Sequence, residues 1–401
     1  MRVLHVFNYH RSSWGSDIAW DQTIRLSQER GIETGTFSRD SKALSGLGGK
    51  ARAFAGGLYC PEGVRGFSEA LAAFRPDLVH THELYPLISP WILPRSTAAG
   101  IPVVQSTYDY RFTCPIATHF SRGEVCRRCV GGREYWAVLR NCRDSRVESL
   151  AYTLRNVVAR KFRLFHDHIS QFLVPTEFSR QWLMRDAGVP PERITIQPCA
   201  IALPANAVDP ARGGYVAYAG RFSPEKGAEV LIAAARLSGL PVRLAGRAES
   251  HPAIRPGDNI QCVPQSQAQG LDEFYRGARM LVVPSLWEET FSVVAAEAMS
   301  HGLPVIAARI GALPHTVQDE KTGLLFEPGN AEQLAALMRR LWDDPALCRR
   351  LGSAGRERVR TEFSAEMHVS TMLSAYEDAV AKGVPRSRKN EASDRTTSKT
   401  T

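Results

Sequence analysis

Short apolar runs alternate with longer amphipathic stretches along this chain, and the alternation stops once and then starts again. RVLHVF is followed by a helical pattern from Asp17 to Arg30, then by DLVHTH, IPVVQST and QFLVPT. Apolar strand, helix-period segment and apolar strand in succession make the βαβ unit, whose strands lie parallel and are covered on both faces. Between Pro198 and Gly214 the rhythm lapses into PCAIALPANAVDPARGG, rich in Pro, Ala and Gly and without a period, which reads as a linker. It resumes with YVAYAG, a helix from Ala228 to Leu237, PVRLAG, NIQCV, a helix from Leu271 to Arg279, MLVVPS and LPVIAA. At 401 residues the chain exceeds the size at which one core stops growing. The expected fold is therefore α/β, with two Rossmann-like doubly wound parallel sheets facing a cleft. The N-terminal domain is expected over 1–205 and the C-terminal one over 206–381. Residues 331–380 read as consecutive helices, the last crossing back to the first domain, and 382–401 read as a disordered tail.

The formal charge of +9 suits an acidic partner: nucleic acid, an anionic membrane surface or a diphosphate substrate. No recognisable module or aromatic-basic array supports nucleic acid. MRVLHVFNYH lacks the apolar centre of a secretory signal, and no long apolar run suggests a membrane span, so a cytoplasmic location is expected. Residues 155–168 gather positive charge with Val157, Val158, Phe162, Leu164 and Phe165 at helical spacing. Such a helix can lie on anionic lipid. The favoured expectation is the ordinary one, an apolar face packed inward under a solvated basic face. Eight cysteines are present, and Cys114, Cys126, Cys129 and Cys142 are grouped around a C-x-x-C pair. Four thiolates can hold a tetrahedral structural zinc, and buried or pairwise-bonded thiols fit the spacing equally well. Cys60, Cys199, Cys262 and Cys348 are scattered and read as small buried hydrophobes.

In open parallel sheets ligands bind beyond the carboxyl ends of the strands. After YVAYA, the turn from Gly220 to Gly227 sets Arg221 and Lys226 five residues apart. The fork of an arginine and the point charge of a lysine can together grip a diphosphate. After MLVV, the segment PSLWEETFSVVAAEAM carries Glu289 and Glu297 eight residues apart. With a helix starting near Ser292, Glu289 stays in the loop and Glu297 projects from the second turn. The free amides of that helix start favour an anion. His80 and His82, with Glu83 beside them, end the DLV strand; lacking an evident third ligand, His82 reads as lining the cleft rather than as a zinc ligand.

Together, in this order, these segments resemble retaining glycosyltransferase family 4, of the two-domain GT-B architecture. The family's E-x7-E motif matches Glu289 and Glu297, and its Arg/Lys pair matches Arg221 and Lys226. The Gly311-Ala312-Leu313-Pro314 loop and KTGLLFEPGN from Lys321 extend the resemblance. The N-terminal half is similar to an exopolysaccharide or capsule-type branch with an H-N-Y-R-like turn and a C-P…C-x-x-C…C segment. Here these read Tyr108-Asp109-Tyr110-Arg111, Cys114-Pro115, Cys126 to Cys129 and Cys142, with tyrosine where the branch has histidine near the donor sugar. Where the family has two glycines after the first strand, this chain has Trp14-Gly15-Ser16-Asp17, and Gly246-Arg247-Ala248 replaces another glycine.

The resemblance implies transfer of a sugar, with retention, from a nucleotide diphosphate sugar to an acceptor hydroxyl in polysaccharide or glycoconjugate synthesis. Arg221, Lys226 and Glu289 would serve the reaction, and Gly15, Gly220, Thr290, Phe291, Ser292 and Glu297 would help bind the donor. His82, Tyr108 and Asp109 would border the sugar or acceptor, which could be a glycan, a lipid-linked molecule or a small molecule. Peripheral contact at the inner face of the cytoplasmic membrane fits such an acceptor. Neither a cofactor nor a divalent metal is required, because the cations meet the leaving group. A nucleotide-sugar-binding protein without turnover is the rival reading, motivated by Tyr108.

Overall fold

The computed structural model describes residues 1–9, 15–44, 46–246, 254–255, 257–264 and 271–385; Trp14, Arg247, Ala248 and the tail beyond 385 lie outside them. The N-terminal half contains strands β1 (Arg2–Tyr9), β2 (Glu33–Asp40), β3 (Leu78–Thr81), β4 (Val103–Ser106), β5 (Phe120–Ser121), β6 (Glu124–Val125), β7 (Gln171–Val174) and β8 (Ile194–Ile196). Its helices are α1 (Gly15–Glu29), α2 (Gly46–Leu58), α3 (Pro61–Phe74), α4 (Ile92–Ala98), α5 (Trp136–Leu139), α6 (Arg146–Lys161) and α7 (Glu177–Ala187). The C-terminal half contains β9 (Tyr215–Ala219), β10 (Val242–Gly246), β11 (Ile260–Pro264), β12 (Ala278–Val283), β13 (Val305–Ala308) and β14 (Gly323–Phe326). Its helices are α8 (Ala228–Ser238), α9 (Leu271–Arg276), α10 (Val293–Ser300), α11 (Leu313–Thr316), α12 (Ala331–Asp343), α13 (Pro345–Glu362) and α14 (Ala365–Lys382).

Two parallel six-stranded sheets result, ordered β2-β1-β3-β4-β7-β8 and β11-β10-β9-β12-β13-β14, while β5 and β6 form a separate hairpin. Strand order in the first sheet reverses between β1 and β3, and in the second between β9 and β12. These are the points where adjacent strands send their crossovers to opposite faces and leave a crevice at their carboxyl ends. Such crevices explain why the turns after β9 and β12 are the chemically dense ones in the sequence.

The second sheet is buried on both faces: β9, β12, β13 and β14 have every residue buried, as a parallel sheet covered by helices requires. The last helix leaves this half. Met372, Ala375, Tyr376 and Ala379 of α14 pack on Val3, Leu78, Val104 and Leu173, closing one face of the first sheet.

Three expectations need correction. The helix ends at Leu271–Arg276, because Ala278 and Arg279 already belong to β12. The helix expected over 155–168 runs instead over Arg146–Lys161, and it buries Ser149, Thr153, Asn156 and Ala159. Small and polar positions therefore form its inward face, and Phe162, expected inside, is exposed. Asn156 Nδ2 donates to the Arg111 carbonyl at 2.7 Å and Thr153 Oγ1 to that of Glu134 at 3.2 Å, so hydrogen bonds seat this face. Cys199 and Cys262 are partly exposed rather than fully buried.

Candidate functional site

The loops leaving β9 and β12 are pressed together. The Leu286 amide donates to the Glu225 carbonyl at 2.8 Å, and a Cβ on Gly227 would lie 1.9 Å from the Pro284 carbonyl oxygen. Only glycine fits there, and its φ of 67° is likewise a glycine conformation. This approach brings Lys226 to Glu289: Nζ donates to Oε1 at 2.7 Å, and Ser285 Oγ donates to the same oxygen at 2.8 Å. Lys226 also lies 4.9 Å from the centre of the Trp287 ring. The Glu289 backbone is held from the other side, where the Ala312 amide donates to its carbonyl at 2.8 Å. A Cβ on Gly311 would meet the Glu289 nitrogen at 2.6 Å. Arg221 keeps 44% of its side chain exposed and lies 3.3 Å from Glu225. Its loop carbonyl accepts from Tyr218 OH at 2.7 Å. Two cations thus stand on one strand-to-helix turn, the lysine paired with Glu289 and the arginine, more exposed, paired with Glu225.

The helix α10 begins where the motif spacing predicts, with Ser292 as a cap residue whose side chain makes no capping hydrogen bond. Glu297 accepts a hydrogen bond from Tyr275 OH at 3.1 Å. Burial raises its carboxyl pKa, with Tyr275 and His301 opposing the shift. The Phe291 ring packs edge-on against Phe363 in the core, so only its backbone is available to a ligand.

Thr290 joins the two halves. Its Oγ1 donates to the Tyr108 carbonyl at 2.7 Å, and its own carbonyl accepts from Thr176 Oγ1 at 2.9 Å. Beside it, Tyr110 OH donates to the Glu288 carbonyl at 2.6 Å, and Arg127 grips the Glu288 carboxylate at 2.7 and 2.9 Å. Arg127 and Glu288 were not singled out by sequence reasoning. The available signal was an arginine inside the C-x-x-C pair and a second glutamate next to Glu289.

On the N-terminal side, Asp109 and Glu83 are both bound by Arg111, at 2.8 and 2.6 Å. Although burial opposes it, the two carboxylates raise the guanidinium pKa and keep Arg111 charged. Tyr108 stacks beside His82, and its OH lies 3.5 Å from Nδ1. Burial raises the Tyr108 phenol pKa. Gly15 is the first residue of α1.

His80 and His82 do have a third imidazole beside them, which the strand sequence alone could not reveal. His5 on β1 pairs in register with His80, and one ring nitrogen from each of the three lies within 4.8 Å of the others. Both His80 nitrogens are already engaged, with Tyr376 OH at 2.6 Å and Ser106 Oγ at 2.8 Å. Burial pulls the His5 pKa down to about 3 and lowers those of His80 and His82 as well, so the cluster is neutral at physiological pH.

All eight cysteines are free thiols. Burial, followed by the neighbouring sulfurs of Cys114, Cys142 and Cys126, pushes the Cys129 thiol up to about 12. Among the described residues the group whose ligand atoms converge closely enough to hold a metal is His5, His80 and His82, and the four cysteine sulfurs do not gather into one, so they do not fit the tetrahedral zinc that their spacing suggested.

Two doubly wound halves meeting across strand-end crevices define a protein of the GT-B class. A model of the "Glycosyltransferase Family 4" domain matches residues 30–203, and one of "Glycosyl transferases group 1" matches residues 206–358. The chain belongs to the family 4-like glycosyltransferases. It is 32% identical over 199 residues to a D-inositol 3-phosphate glycosyltransferase from Salinispora arenicola, a match spanning 44% of each chain. Sucrose-phosphate synthase from Thermosynechococcus elongatus shares the fold with a TM-score of 0.70 and 22% identity, over 95% of this chain and 99% of that one. HepE of Anabaena, solved in complex with UDP, aligns with a TM-score of 0.60 and 14% identity, over 94% of this chain and 100% of that one.

Proposed function

We propose that the protein transfers a sugar from a nucleotide diphosphate sugar to an acceptor hydroxyl, retaining the anomeric configuration, in polysaccharide or glycoconjugate synthesis on the cytoplasmic side of the membrane. The observation that carries this reading is the pairing of Lys226 with Glu289, on the loop that also bears Arg221, where strand order reverses between β9 and β12. In this reading the anomeric bond to the diphosphate breaks as the acceptor oxygen bonds to the same carbon, and the acceptor's hydroxyl proton passes to the departing diphosphate. Lys226 and Arg221 offset the charge growing on the departing diphosphate, where fixed cations act most strongly. Glu289 fixes Lys226 before the donor arrives and borders the sugar, Glu297 accepts from the ribose hydroxyls, and the α10 amides face the phosphates. Gly15, His82, Tyr108 and Asp109 border the acceptor. UDP bound to a protein of the same fold, and a sugar-transferring relative, support the donor class.

The test is release of nucleoside diphosphate from a panel of UDP- and GDP-sugars, with and without lipid extract. Release from one donor, lost in Arg221→Ala and Lys226→Ala, supports the transferase. Tight nucleotide binding without release from any donor favours a non-catalytic binding protein, and absence of binding overturns the reading.

A further inference from the structure

The helix α6 is amphipathic in the reverse of the usual sense. Its inward positions are Ser149, Thr153, Asn156 and Ala159, while Val147 is 74% and Leu150 44% exposed. A surface helix that leaves Val147 and Leu150 in water, with Leu154, Val157 and Val158 only partly covered, has a second surface to satisfy. The same region continues this face: Leu139 of α5, which packs on α6, is 64% exposed, and Phe162 just past its end is 52% exposed. Of the fourteen exposed large apolar side chains among the described residues, six lie between positions 125 and 162. Charge is concentrated in the same stretch. Residues 121–165 contain eleven Lys/Arg against four Asp/Glu, a net +7 out of the whole chain's +9. Arg146 and Lys161 are exposed at the two ends of α6, and Arg133 and Arg143 are exposed beside it.

We infer that the outer face of α5 and α6 is a docking surface for an anionic lipid bilayer. Separate apolar side chains surrounded by guanidinium and ammonium groups match the boundary of a negatively charged leaflet, where the side chains enter the acyl region and the cations meet headgroup phosphates. A second copy of this chain is disfavoured, since two faces of the same strong positive charge would oppose each other. No helix among the described residues is long and apolar enough to cross a membrane, so the contact is peripheral. Asn156, on the opposite side of α6, holds the Arg111 carbonyl, and Arg111 binds Glu83 and Asp109. Docking therefore sets the bilayer behind the proposed acceptor side of the cleft. The docking itself does not depend on sugar transfer and is read out without it.

Co-sedimentation of the full chain with vesicles is the test, using phosphatidylcholine alone and equal parts phosphatidylcholine and phosphatidylglycerol. Binding is expected only to the anionic vesicles and should weaken as salt rises. Arg146→Gln should weaken partitioning about fivefold, the effect of one basic residue at an anionic surface. The pair Val147→Glu and Leu150→Glu should abolish binding while leaving the melting temperature unchanged, since neither side chain is in the core. Equal recovery on both vesicle types, binding that survives the paired substitution, or self-association through this face in place of lipid binding would each overturn the inference.

Discussion

Glu289 accepts two hydrogen bonds on one oxygen, from Lys226 and Ser285, and is only 5% exposed. A carboxylate so placed needs its cation, because an unpaired buried charge is costly. Lys226→Met should therefore lower the melting temperature as well as slow transfer, the latter by about 10²–10³-fold if the ammonium meets the leaving diphosphate. Steady-state release of nucleoside diphosphate measures the second effect, and an unchanged rate would remove Lys226 from the reaction. At Glu297 the raised pKa means that the fold favours the protonated carboxyl, a contribution present at low pH and lost as pH rises through the raised value. Glu297→Gln keeps an acceptor for Tyr275 and removes the buried charge. Melts at mild alkaline pH should show the variant more stable than the parent, with the difference shrinking as pH falls through the raised pKa, while affinity for the nucleotide drops. A pH-independent difference would mean that Glu297 does not titrate in this way.

Among elements, legibility followed burial. Strands β9 and β12 are wholly buried and stood out as apolar runs ending in Gly and Pro, which also located their exit loops. Strand β2, ETGTFSRD, gave no such signal because it lies at the sheet edge and buries Phe37 alone. The helix α6 was misread for a related reason: hydrophobic periodicity reports the apolar face, and inward packing was an assumption that its polar seat does not meet. The destination of α14 was legible only as a crossing back, since no local pattern tells which sheet a helix covers. Met372→Ala, at a fully buried position, should cost about 2–5 kcal/mol in urea denaturation. The damage should appear far away in sequence, as faster amide exchange in β3 and β4. Exchange confined to α12 and α13 would show that α14 does not hold the first sheet.

At the scale of the whole molecule, the two halves meet where the motifs do. Arg127 reaches Glu288, Tyr110 reaches the Glu288 carbonyl, and Thr290 reaches the Tyr108 carbonyl, so closure is fastened to the residues flanking Glu289. These partners are 161 to 182 positions apart in the chain, beyond any local spacing, which is why the sequence showed each loop and not the fastening. A latch at the mouth of the crevice can couple donor binding to exclusion of water, and the coupling has a measurable form. Arg127→Ala should raise the radius of gyration in solution scattering and lower kcat/KM about tenfold, as loss of about 1.4 kcal/mol implies. Glu288→Gln should act in the same direction, and the double variant should be no worse than Arg127→Ala alone, because that substitution already removes the Glu288 contact along with the 3.3 Å contact to Asp186. Additive losses in the double variant, or an unchanged radius of gyration, would mean that Arg127 acts locally on its own loop and that closure is held by the Thr290 and Tyr110 contacts alone.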